Sequence, residues 1–243
     1  MNSAADQKLV DLLQDAGPTS SIGIEDVIAT MRALDALLPS EDGLKWFNAL
    51  YLMVTCGVEE QSRNGSWQDA GWLNRLDVVF AKLYFAAILS TTKGDGSMPK
   101  SWDALFQARK YSGIDRIQFA LAGMNAHINH DLALALIQTN SEMSIKPDYA
   151  SPQHADYESV NALLEVVMPS CLTMLATGIL GELAQDTGKM GQLLAIWNVR
   201  VARDLAWDFA GHLGTLDGIR FRGALAVQDR MTGALGRSLL QLM

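Results

Sequence analysis

Apolar residues recur at intervals of three and four along nearly the whole chain, and no stretch sustains the strict alternation of a half-buried strand. Residues 5–15 make the first such segment, stopped by Ala16-Gly17-Pro18, and residues 23–39 the second, ending at Pro39; both read as amphipathic, peripheral helices. Two longer segments follow at 40–61 and 66–90, joined by Ser-Arg-Asn-Gly, which predicts an antiparallel pair. The Gly- and Pro-rich stretch 91–101, including Gly-Asp-Gly-Ser at 94–97, reads as a loop before a short helix at 102–111 and a long one at 113–140. After an irregular stretch at 141–154, helical spacing resumes over 155–186, over 188–216 and from about Gly223 to Leu242. The pattern predicts an all-α fold, a multi-helix bundle of about eight or nine helices with a buried central helix, and a single domain over 1–243.

That central helix is 113–140. Between Arg116 and Glu142 its only formally charged residue is Asp131, and large apolar side chains go round much of its circumference, as expected of a buried helix. Asn125, His127, Asn129, His130 and Asp131 are then buried polar groups, each costing about 1–3 kcal/mol if unpartnered. At helical spacing His127 and Asp131 share one face with His130 to the side, while Gln118, Asn125 and Asn129 point nearly the opposite way. One face offers His and Asp, the other amides.

Residues 200–213 offer a second set. Asp204, Asp208 and His212 recur every fourth residue, with Trp207 near them and Arg203 placed to pair with the aspartates or to stack on Trp207. If the two helices meet, His127, Asp131, Asp208 and His212 supply two imidazoles and two carboxylates to one point, a set that suits Zn or Fe. His-Ile-Asn-His-Asp nevertheless matches no established metal signature, and a His with a carboxylate four residues on also serves as an acid–base pair or as a satisfied core contact. Asn48, Tyr51, Thr55 and Glu59 stripe one further helix, Asp77 and Tyr84 another and Asn161 and Glu165 a third, each able to line the same cavity. His154 reads as a solvated residue or part of a helix start capped by Asp156.

Charge and composition narrow the class. A net charge of −8 gives no electrostatic reason for nucleic acid or an anionic membrane as a partner, and 49% hydrophobic residues suffice for a full core. The start of the chain lacks the basic and apolar regions of a secretory signal, so the protein is expected to be cytoplasmic. The two cysteines, Cys56 and Cys171, sit in apolar stretches as free thiols; the apolar run between Glu165 and Glu182 is too short and interrupted for a bilayer and reads as a buried helix kinked at Pro169. Serine elbow, P-loop, Rossmann glycine fingerprint and paired Cys-x-x-Cys are all missing.

The segments Phe47–Thr55, Leu76–Ile88, Trp102–Leu136 and Ala202–Leu213, with Gly-Met-Asn-Ala-His-Ile-Asn-His-Asp-Leu at their centre, together resemble a bacterial all-helical family known only as a domain of unknown function. The resemblance implies the fold and draws attention to Asn125, His127, His130, Asp131 and Asp204, and it carries no reaction. The leading expectation is an enzyme with a buried Zn or Fe held by His127, Asp131, Asp208 and His212, hydrolase or lyase in type with Zn and oxygenase with Fe. His130, Asn125 and Asp204 are its candidate catalytic residues, and Asn48, Tyr51, Asn129 and Trp207 its candidate pocket for a small apolar molecule. The alternatives are a metal-free isomerase or cyclase using a buried His/Asp acid–base pair, and a non-catalytic binding or scaffold protein. The oligomeric state is left open.

Overall fold

A computed structural model describes residues 4–14, 22–93, 98–175 and 198–241. Its helices are α1 (Ala4–Gln14), α2 (Ile24–Leu37), α3 (Gly43–Arg63), α4 (Ala70–Lys93), α5 (Lys100–Ala108), α6 (Arg116–Ala126), α7 (Leu132–Glu142), α8 (Pro152–Leu175), α9 (Val199–Leu213) and α10 (Gly218–Gln241). A π-helical turn, His127–Asp131, joins α6 to α7 without a break, so the described residues hold nine helices and no strand, the all-α architecture the spacing predicts. None of the described helices is long and apolar enough to cross a membrane.

Boundaries differ in places. The last helix starts at Gly218, five residues before the expected Gly223, because Gly218 takes the positive φ of 33° that turns the chain out of the preceding loop. Asp156 does not cap its own helix. It lies inside α8, and its carboxylate accepts the backbone N–H groups of Gln68 (2.8 Å) and Asp69 (2.6 Å), securing the approach to α4 instead. The end of α8 is less buried than its composition suggests: Cys171 and Leu175 face the core, but Val166 is 74% exposed and Pro169 lies inside the helix. Residues 94–97 and 176–197 lie outside the described set, and with them Gly-Asp-Gly-Ser at 94–97, the end of the expected 155–186 helix and the first ten residues of the expected 188–216 helix.

The helix running through α6, the π turn and α7 occupies the centre, packed by α3, α4, α5, α8, α9 and α10. A capping box starts it: Asp115 precedes α6, and the Gln118 side chain accepts the Asp115 N–H at 3.0 Å. Close packing then depends on two small residues. A Cβ on Gly43 would lie 2.3 Å from the Phe119 ring, and one on Gly123 would lie 2.4 Å from the Phe47 ring, so α3 and α6 meet at these positions only without side chains there.

The amide face identified in the sequence holds α10. Asn125 Nδ2 donates to Thr232 O (2.9 Å), Gln118 Nε2 to Leu239 O (3.0 Å), and Gln228 Nε2 to Asn129 O (2.7 Å), while Asn129 Nδ2 donates to Asn125 Oδ1 (3.0 Å). Polar groups on a buried helix are thereby satisfied by a neighbouring backbone. The same helix α10 also presses on the start of α5, where Asp229 accepts the N–H groups of Lys100 (2.9 Å) and Ser101 (2.8 Å). At the far end of α5, buried Arg109 grips buried Asp42 with Nε at 2.9 and 3.0 Å and Nη2 at 2.6 Å, and reaches Asp6 of α1 at 3.3 Å.

Candidate active site

The π turn places an acidic residue where three donors converge. Leu132 N–H bonds to His127 O, five residues back rather than four, and the widened turn carries His127, His130 and Asp131 together. Asp131 Oδ2 accepts from His127 Nδ1 at 3.0 Å and from Trp102 Nε1 at 2.9 Å, while Oδ1 accepts from His130 Nδ1 at 2.7 Å. Asp131 is 2% exposed, so these three bonds replace the water that its charge has lost.

The two histidines are shifted in opposite directions. Burial, the largest influence on His127, holds its pKa below the usual imidazole range against the opposing pull of Asp131, and the ring is neutral. Burial also acts most strongly on His130, but there the bond to Asp131 and the charges of Asp131 and Asp229 outweigh it and raise the pKa. His130 Nε2 stands 3.7 Å from Asp229. Asp131, although burial pushes its carboxyl upward, is held below its ordinary value by the bonds from both histidines. With Asp131 ionised, His127 Nδ1 must carry the hydrogen, which leaves a lone pair on Nε2. That atom is buried and has no partner. Phe80 stacks flat on the ring, 3.4 Å between centroids and 4° from parallel, and Tyr51 meets it edge-on at 4.6 Å.

His127 lines a cavity of about 70 Å³ enclosed by α3, α4, the central helix, α8 and α9. Its wall is largely apolar, with Leu50, Val54, Leu76, Phe80, Met124 and Leu132 among the lining residues, and its polar members are Tyr51, Asp77, His127 and Arg203. Tyr51 Oη and Asp77 Oδ2 are buried without partners, like His127 Nε2. Burial raises the Asp77 carboxyl to about 7 against the lowering pull of Arg203. Burial first, and the Asp77 charge next, hold the Tyr51 phenol well above its ordinary value. Arg203 is fixed in place: Nε donates to Asn161 Oδ1 at 2.8 Å, and the guanidinium lies 4.1 Å over the Tyr157 ring.

A larger groove of about 510 Å³ between α7 and α9 holds Trp207, with Lys146 its one charged lining residue. Volume alone favours the groove. The small cavity is nonetheless the candidate site, because convergent polar groups with displaced pKa values mark a site more specifically than space does.

The expected metal set is not gathered. Although α9 packs against the π turn as that reading required, Asp208 and His212 lie on its exposed face, and the Asp208 carboxylate accepts the Tyr149 hydroxyl. At helical spacing Arg203, Ala206 and Ala210 turn inward, so a stripe at 204, 208 and 212 must turn out. Asp131 meanwhile has both oxygens engaged. Among the described residues no group of three or more His, Cys, Asp or Glu side chains is placed to hold a metal ion.

Of the expected catalytic residues, His130 sits behind Asp131 rather than on the cavity. Asn125 is committed to Thr232 O, and Asp204 is exposed beside Glu158, whose charge adds to desolvation in raising its pKa. Of the expected pocket residues only Tyr51 lines the cavity. Asn48 donates to Met31 O (2.9 Å), Asn129 faces α10, and Trp207 packs on Tyr157 and His154 outside it. His154 lies in the first turn of α8, half-buried in an aromatic cluster with Tyr149, Tyr157 and Trp207. Glu59 pairs with Arg63, and Glu165 is exposed.

Asp77 was legible only as half of a weak stripe with Tyr84, and Phe80 not at all; a lone Asp in Leu-Asp-Val-Val-Phe was the available signal. Arg203 stacks on Tyr157 instead of Trp207. No curated protein and no solved structure matches the chain. Residues 24–242 do match the model of a family of unknown function, DUF5995, and with nine-tenths of its length matched the chain belongs to that family.

Proposed function

We propose that the chain is an acid–base enzyme of the isomerase or cyclase kind, acting on a small, largely apolar molecule held between helices. The observation that carries this reading is the unpartnered Nε2 of a neutral, buried His127 on the wall of an apolar cavity. A general base needs a lone pair aimed at substrate and a second group to hold its ring, and Asp131 is that positioning residue. Asp77, with a carboxyl near 7, is the partner acid: at neutral pH it carries a proton part of the time and can give it up or take it back. The surrounding wall is mostly Leu, Val and Phe side chains, which lowers the local polarity and strengthens both roles.

The test is turnover of a panel of small ketones, epoxides and alkenes, followed by gas chromatography, with wild-type protein and the His127→Gln variant. Conversion by wild type, abolished in a variant that still folds, supports the reading. Undiminished conversion in His127→Gln would place the chemistry elsewhere. Activity should survive chelation, and a loss on chelation that Zn or Fe(II) restores would return the metal reading in its place. If no member of the panel is converted, the cluster's role is to fix the helices, as a scaffold protein requires.

A further inference from the structure

Three unpartnered polar atoms in one small apolar cavity constrain what fills it. His127 Nε2, Tyr51 Oη and Asp77 Oδ2 are each buried without a hydrogen-bond partner, and all three residues line the same cavity of about 70 Å³. Leaving such groups unsatisfied is costly, and three together call for a ligand that pairs them. Their roles are not alike. Nε2 can only accept, because Nδ1 carries the hydrogen. The Tyr51 phenol, kept from ionising, donates, and so does the Asp77 carboxyl whenever it is protonated.

A matching ligand therefore presents one oxygen with two lone pairs to Tyr51 and Asp77, and one hydrogen to His127. The rest of it is largely apolar, to suit Phe80, Leu76 and Val54, since Arg203, the remaining polar lining residue, donates to Asn161 Oδ1 and to Tyr157 O. A carbonyl oxygen has two lone pairs, and the hydrogens on the carbon beside it are the acidic ones that a neutral imidazole can remove once the oxygen is held. The space is about half of the roughly 150 Å³ that admits benzene in an engineered cavity, so the enclosed part is only a few heavy atoms.

We propose, resting on the acid–base reading above, that the cavity takes a small uncharged ketone or aldehyde and interconverts isomers of it through the enol. In the first step His127 Nε2 takes a proton from the carbon next to the carbonyl. The C–H electron pair becomes the C=C bond, the C=O π pair moves to oxygen, and Asp77 protonates that oxygen while Tyr51 donates a hydrogen bond to it. In the second step the imidazolium returns its proton to carbon, at the conjugated position on the same face, and the Asp77 carboxylate takes back the proton on oxygen. The protein ends as it began, and no co-reactant is consumed. A phenol beside a carboxylic acid kept neutral by apolar surroundings is a known way to hold an enolate oxygen.

The experiment uses the full chain in D2O at neutral pH with 2-butanone as probe, and follows the loss of its α-proton signals by NMR. 1,2-Epoxybutane, which has no carbonyl but also needs acid–base help to open, runs beside it. Wild type is expected to exchange the α protons about a hundredfold faster than buffer. His127→Gln should return the rate to that of buffer, and Tyr51→Phe should lower it about tenfold. Tyr51→Phe removes only a hydroxyl whose neighbour Thr55 lies on the same helix, so its folding is safe where that of His127→Gln is less so. Exchange of 2-butanone at the buffer rate with wild type overturns the carbonyl assignment. Should the epoxide then be opened by wild type and spared by His127→Gln, the acid–base reading stands without it; if neither compound reacts, both fall. Unchanged exchange in Tyr51→Phe would also remove the oxygen-holding role assigned to Tyr51.

Discussion

Asp77 makes the residue scale measurable without any substrate. Its carboxyl rises from an ordinary 3.8 to about 7 on burial, so between those values the folded chain keeps a proton that the unfolded chain has released. Stability from this group is complete below about pH 4 and falls as pH climbs through 7. Asp77→Asn should therefore raise the unfolding free energy at pH 8 by on the order of 2–4 kcal/mol and change it little at pH 4, read from urea melts at both values. An equal gain at both would mean that the carboxyl is not desolvated. Asp131 behaves oppositely. Held low by its three donors, it contributes stability above 3.8 that is lost as pH falls through its folded value. Asp131→Ala leaves two imidazoles and an indole without their acceptor and should cost about 3–5 kcal/mol at pH 7 in the same assay. The His127–Asp131 pair was legible from its spacing of four, but the partner acid was not, since Asp77 comes from another helix and a single carboxylate carries no pattern.

At the scale of elements, α10 meets α5 through glycine. A Cβ on Gly233 would stand 2.3 Å from the Lys100 carbonyl oxygen, whereas one on Gly223 of the same helix meets nothing within 4 Å. Gly233→Ala should destabilise by about 1–3 kcal/mol, because backbone must move to admit it. Gly223→Ala should stabilise by about 0.5–1 kcal/mol by restricting the unfolded chain and favouring helix. Thermal denaturation of the two variants side by side distinguishes a contact effect from helix propensity, which alone would stabilise both. Helices themselves were legible nearly throughout, since apolar spacing is a local property of the chain. The π turn was not, because one extra residue in a helix leaves the mixture of apolar and polar residues unchanged. Nor was the outward turn of α9: Asp204, Asp208 and His212 share a face by spacing, but which way that face points is decided by what packs against Arg203 and Ala206.

Across the whole molecule, distant segments are joined at a few polar points. Arg109 ties the end of α5 to Asp42 before α3 and to Asp6 of α1, and Arg109 O accepts the Gly43 N–H at 2.7 Å. Arg109→Ala strands a buried Asp42 carboxylate and should cost about 3–5 kcal/mol, whereas Lys110→Ala, whose side chain is exposed and reaches only Asp6, should cost under about 1 kcal/mol. Chemical denaturation at pH 7 separates the two. No sequence pattern announces a link between residues 6, 42 and 109. Such contacts are products of the packed fold, as is the assembly of the cavity from five regions of the chain.

The π turn has a consequence for inheritance. Such a turn is a helix carrying one residue too many, so loss of a single codon between 127 and 131 would let the turn close into ordinary α-helix. The surplus residue is absorbed within the turn itself, so α7 would keep its phase on α6, and Leu132 and Leu136 the packing they now fill. What would change is the turn: the spacing that brings the imidazoles of His127 and His130 to one carboxylate would be gone. A lineage could therefore drop this residue and keep the fold, but it would lose the cluster.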